Sequence, residues 1–116
     1  MNLESKFPKT IFSEQYIEKY GLKKAFLKQL TVVAGEILET QEAWTEQDYE
    51  HTIEECVDVM QSIYTALYMI PGYTAKKVEN IIKQVQDKNT KRGYYETFEK
   101  QQFERFIEGN NDKEKI

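Results

Sequence analysis

Apolar residues recur every three or four positions along most of the chain, and no stretch alternates apolar with polar as a half-buried strand would. With only two prolines and five glycines to interrupt it, this pattern predicts an all-α bundle of about four helices. A first helix is expected after Ser13 as N-cap, with Gly21 bending or breaking it before a longer run from Leu22 to about Gln41. In that run Phe26, Leu30, Val33, Ala34, Ile37 and Leu38 form an apolar stripe. Thr45 followed by Asp48 resembles a helix start, and the second long helix runs to about Ile70, where Pro71-Gly72 stops it. Thr74 is placed to cap a third helix that carries Val78, Ile82 and Val85 and ends near Arg92-Gly93. Beyond it, Phe98, Phe103, Phe106 and Ile107 suit a short packed helix. The organisation expected is one domain over 1–108 and a disordered tail over 109–116.

The second long helix has a wide apolar arc. Ile53, Cys56, Val57, Val59, Met60, Ile63, Tyr64, Ala66, Leu67 and Ile70 cover about half its circumference at ~100° per residue. One three-helix layer leaves part of such an arc bare, so assembly as a homodimer or homotetramer is expected. Cys56 falls inside the arc and reads as a core residue.

Composition narrows the function classes. A chain of 116 residues has room for one core, and a net charge of −4 lacks the basic face needed to grip a nucleic-acid polymer or an anionic membrane. A single cysteine excludes an intrachain disulfide and a thiolate metal site, which fits a reducing compartment. No apolar run approaches the ~20 residues that cross a bilayer, and no leader pattern opens the chain. The expected location is the cytoplasm.

Against that background two acidic pairs stand out, Glu36-x-x-Glu39 and Glu55-x-x-Asp58. A spacing of three puts two side chains on one helix face. Fifteen residues separate Glu39 from Glu55, enough for one helix to end, turn and return antiparallel, which would gather four carboxylates. One such pair is commonplace on a solvated helix in a chain with 31% charged residues. Two pairs on consecutive helices, each bordering an apolar stripe, point to a metal site. Hard oxygen ligands without histidine suit Mg²⁺, with Mn²⁺ as substitute. His51 directly follows Glu50, so the Glu-x-x-His motifs of a carboxylate di-iron bundle are missing. Glu54 projects away from the Glu55 edge and reads as surface.

A complementary charge closes the third helix, where Lys88, Lys91 and Arg92 fall within one and a half turns. Such cations also favour a helix C-terminus without any ligand. Asn89 and Arg92, however, continue the line of Val78, Ile82 and Val85, which places polar groups on the core-facing stripe. Lysine or arginine near a carboxylate-bound metal is what a phosphate chain requires. Trp44 and Tyr94 are candidates for stacking on a base, Trp44 being equally suited to cap the core at the hinge.

With these residues in view, the chain resembles the MazG-like, all-α nucleoside triphosphate pyrophosphohydrolases, which are related to the dimeric all-helical dUTP pyrophosphatases. The resemblance spans roughly Tyr20 to Tyr95. It rests on Glu36, Glu39, Glu55 and Asp58 as ExxE followed by ExxD, on Gly35-Glu36, and on EExxDV at Glu54 to Val59. The later KNTKRGYY is similar to the family's phosphate-contacting segment, matched by Lys88, Asn89 and Arg92. Thr31, Val32 and Val33 depart from the extra acidic residues that often precede ExxE. The resemblance implies catalytic metal ligands at Glu36, Glu39, Glu55 and Asp58, and hydrolysis of a nucleoside triphosphate to monophosphate and pyrophosphate by water attack at the α-phosphorus. The alternative from another class is a non-catalytic helical interaction protein whose acidic faces are solvated.

Overall fold

The structure is a computed structural model that describes residues 3–96, and these hold five helices and no strand. Phe98, Phe103, Phe106 and Ile107, expected to form a short helix, and the tail over 109–116 lie outside the described residues. The chain divides into two compact units, 1–75 and 76–116.

The first unit is built on an antiparallel hairpin of α3 (Leu22–Thr45) and α4 (Tyr49–Met69). Ahead of it come α1 (Leu3–Lys6) and α2 (Ile11–Tyr20), with α2 packed on α3. The N-cap of α2 is Thr10, whose side chain accepts from the Ser13 N–H, and not Ser13, which lies buried inside the helix. Gly21 does break the chain, at φ 86, a left-handed value that a side chain would disfavour. Asp48 caps α4 by accepting from the His51 N–H at 3.0 Å, and Thr45 is the last residue of α3.

Between the two helices, Gln47 adopts φ 60 and its N–H donates to the Trp44 carbonyl, while the Asp48 N–H reaches Ala43. This is a Schellman closure with glutamine in the position that glycine usually takes. Gly93, at φ 70, holds that position after α5, where Tyr94 N–H donates to Asn89 and Gly93 N–H to Thr90.

The seam of the hairpin is not formed by the apolar stripes. On α3 it runs through Ala25, Gln29, Glu36, Thr40 and Ala43, and on α4 through Thr52, Glu55, Val59, Ser62, Ala66 and Met69, all buried or half-buried. Alternating steps of three and four keep each set facing its partner. Ala25 and Ala43 are almost completely buried, and small side chains there let the backbones approach. The expected stripe on α3 is therefore displaced: Phe26 and Val33 are half-buried, but Leu30, Ala34, Ile37 and Leu38 are exposed. On α4, Ile53, Cys56, Val57, Met60, Ile63 and Ile70 are likewise exposed, while Tyr64 and Ala66 are buried. The expectation of a core Cys56 is corrected accordingly.

Helical geometry places these stripes. On each helix the apolar line lies about 120° around from the seam in the same rotational sense. Because the helices are antiparallel, the same sense on both puts the two stripes on one side of the hairpin. A cleft lined by Leu22, Phe26, Leu27, Ile70 and Pro71 spans both helices on that side. Glu39 and Asp58 are displaced about 60° in the opposite sense and so lie on the other side.

The open end of the hairpin is tied to the N-terminus. Tyr68 Oη donates to the Phe7 carbonyl at 2.6 Å, Tyr73 Oη donates to the Glu4 carboxylate, and the Phe7 ring stacks on Tyr64 at 5.7 Å. Burial, then the Glu4 carboxylate, pushes the Tyr73 phenol well above its ordinary range, so it stays a donor.

The second unit contains α5 (Ala75–Lys91), beginning directly after Thr74 and ending one residue before Arg92. Its stripe of Val78, Ile82 and Val85 is half-buried to exposed. Among the described residues no helix is long and apolar enough to cross a membrane.

Candidate metal centre

Glu36 enters the seam midway along α3 and Glu55 two turns into α4, so the hairpin itself sets them face to face. Glu36, Glu39 and Glu55 each offer a carboxylate oxygen, and these oxygens all lie within 4.8 Å of one another. Asp58 lies outside that group and is exposed, one helical turn after Glu55. Its charge still acts on Glu36. Of the four carboxylates expected to gather, three therefore meet, and Asp58 is not among them.

The electrostatics are those of crowded like charges. Burial, followed by Glu39 through its charge and a hydrogen bond, then Asp58 and Glu55, holds the Glu36 carboxyl above its ordinary value. Oε2 of Glu36 and Oε2 of Glu55 are both buried without a hydrogen-bond partner. Buried carboxylate oxygens are ordinarily satisfied, because an orphan forfeits its water without compensation. An all-oxygen donor set with two free buried oxygens fits a hard divalent cation such as Mg²⁺ or Mn²⁺.

The surrounding sequence deepens the negative potential. From Glu36 to Asp58 there are nine carboxylates (Glu36, Glu39, Glu42, Glu46, Asp48, Glu50, Glu54, Glu55 and Asp58) and no lysine or arginine. The sole cationic candidate within that stretch is His51, weighed in the sequence only against the Glu-x-x-His motif and not as a partner of Glu55. Its Nε2 lies 2.8 Å from Glu55 Oε1, and its Nδ1 lies 3.9 Å from Asp48 Oδ2. A hydrogen bond to Glu55 raises the imidazole pKa, against a smaller opposing effect of burial. The signal that finds this pair is His-x-x-x-Glu, one turn apart on one face.

Glu54 is exposed, as expected. Trp44 is exposed at the end of α3, its ring 5.6 Å from that of Tyr49. Lys88, Asn89 and Arg92 lie in the second unit, where Asn89 is half-buried and Lys88 and Arg92 are exposed. Tyr94 follows the Gly93 turn, its ring edge-on to Tyr95 at 5.7 Å.

Comparison with family models, with curated proteins and with solved structures finds no match to the chain.

Proposed function

We propose that the chain is a divalent-metal-dependent nucleoside triphosphate pyrophosphohydrolase of the MazG-like kind. The observation that carries this reading is the meeting of Glu36, Glu39 and Glu55 within 4.8 Å with two buried, unpartnered oxygens. Glu36, Glu39, Glu55 and Asp58 would hold Mg²⁺, or Mn²⁺ in its place. A bound ion would supply charge neutralisation along a phosphate chain and a water of lowered pKa. Glu36 or Glu39 orients the attacking water or takes its proton, and water adds to the α-phosphorus while the bond to the bridging oxygen breaks and pyrophosphate leaves. Lys88, Asn89 and Arg92 are assigned to the phosphates on the resemblance of KNTKRGYY, and Trp44 and Tyr94 remain the candidates for stacking on the base. No sequence feature selects that base.

The same proposal includes assembly as a homodimer or homotetramer. Leu30, Ile37, Leu38, Ile53, Val57, Met60, Ile63 and Ile70 are each at least 44% exposed and lie along two adjacent stripes. Monomers seldom leave a contiguous apolar face of that extent open. A second copy seated there leaves the acidic side of each hairpin free. This apolar face also supports a non-catalytic interaction protein as the second reading.

The test is pyrophosphate release from a panel of canonical and modified nucleoside triphosphates with Mg²⁺ or Mn²⁺. Metal-dependent release that gives the monophosphate supports the enzyme. A self-associated protein that releases nothing across the panel favours the interaction reading.

A further inference from the structure

Resting on the metal-centre reading above, we propose that His51 is a positioning residue for that centre: it holds one oxygen of Glu55 so that the other is presented into the carboxylate cluster. The two oxygens of Glu55 have different surroundings. Oε1 is 2.8 Å from His51 Nε2, whereas Oε2 is buried with no partner. The Glu55 side chain is only 12% exposed, while that of His51 is 47% exposed. The imidazole therefore reaches in from the rim of the seam to a carboxylate set inside it.

The ring is itself anchored by the turn that starts α4. Asp48 accepts from the His51 backbone N–H at 3.0 Å, which fixes the first turn, and its second oxygen lies 3.9 Å from Nδ1. Asp48, His51 and Glu55 thus follow one another at steps of three and four along a single face. A glutamate whose terminal torsion is broad gains a defined orientation when one oxygen is held by a donor. Among the described residues no other hydrogen bond to the Glu55 carboxylate performs that service. Because the cap uses a backbone N–H, substitution of the His51 side chain leaves the start of α4 in place.

Isothermal titration of the full chain with Mn²⁺ tests this, using His51→Ala, His51→Gln and Glu55→Gln, with circular dichroism to verify the fold. His51→Ala is expected to weaken Mn²⁺ binding by about 10- to 100-fold, the usual cost of removing a group that orients a metal ligand. His51→Gln, which retains an N–H donor one turn from Glu55, is expected to recover most of that loss. Wild-type Mn²⁺ affinity in His51→Ala, with binding lost in Glu55→Gln, overturns the positioning role and leaves the metal centre standing. Equal loss in His51→Ala and His51→Gln also overturns it, since the imidazole would then be acting as a ligand. Wild-type affinity in Glu55→Gln overturns the metal centre, and the positioning role with it.

Discussion

The two halves of the α3–α4 seam treat buried polar groups in opposite ways. Toward the open end, Gln29 Nε2 donates across the seam to the Ser62 carbonyl at 2.9 Å, and Tyr68 donates to Phe7. Toward the turn, Glu36 and Glu55 bring carboxylates together and each leaves an oxygen unpartnered. The same two helices, built with the same small seam residues, satisfy one half and leave the other charged and incomplete. Where a polar group serves only the fold, the fold supplies its partner. Those two unpartnered oxygens are the physical basis for proposing a cation there.

The sharpest way to break this contrast is to neutralise the acidic half. Glu55→Gln and Asp58→Asn are each expected to lower metal-dependent pyrophosphate release by at least about 100-fold. The metal-free protein should meanwhile melt no earlier, and slightly later if repulsion is relieved. A variant that keeps full turnover, or melts earlier without any change in turnover, makes these carboxylates structural. In the other half the signs reverse. Gln29→Ala should destabilise by about 1–2 kcal/mol, because it removes a bond across the seam, and leave Mn²⁺ affinity unchanged. Chemical denaturation together with Mn²⁺ titration reads both effects.

A pH series distinguishes the halves more gently. The Glu36 carboxyl is held above its ordinary 4.5, so its protonation favours the folded apo protein: that stabilisation is complete below 4.5 and is lost as pH rises through the raised value. His51 is raised above 6.5 by Glu55, and its contribution is present below 6.5 and lost as pH rises through its own folded value. Both run in the same direction. Calorimetry on metal-free protein should therefore show these two groups lowering stability from pH 5 to pH 8, and Glu36→Gln should flatten the slope. A slope that is unchanged in Glu36→Gln contradicts the crowding of charge at this end. The smallest effect expected is at the turn, where Gln47→Gly removes a left-handed glutamine and should raise stability by roughly 0.5–1 kcal/mol in denaturant melts.

Much of the framework is legible in the sequence because it is written in local chemistry. Gly21 and Pro71-Gly72 end helices, and the three-residue spacing on consecutive helices lets Glu36, Glu39 and Glu55 meet, whereas the start of α4 falls at Asp48 and not at Thr45. The seam is not legible in the same way. Large apolar residues such as Ile37 and Met60 look like core, yet close approach of two helices selects Ala25, Ala43 and Ala66, and the larger residues turn outward. Helix α1 has only four residues and owes its place to Tyr68 and Tyr73, more than sixty positions away in sequence. The contact of His51 with Glu55 goes unread because a histidine four residues before a glutamate matches none of the spacings by which histidine ligands themselves are found.

The most direct measurement is Mn²⁺ binding by electron paramagnetic resonance, comparing the wild-type chain with the double variant Glu36→Gln/Glu55→Gln. Free Mn²⁺ signal should disappear saturably on titration into wild type and persist in the double variant, whose helical content is unchanged. Absence of saturable binding to wild type, or equal binding by the double variant, would contradict a metal centre in the seam.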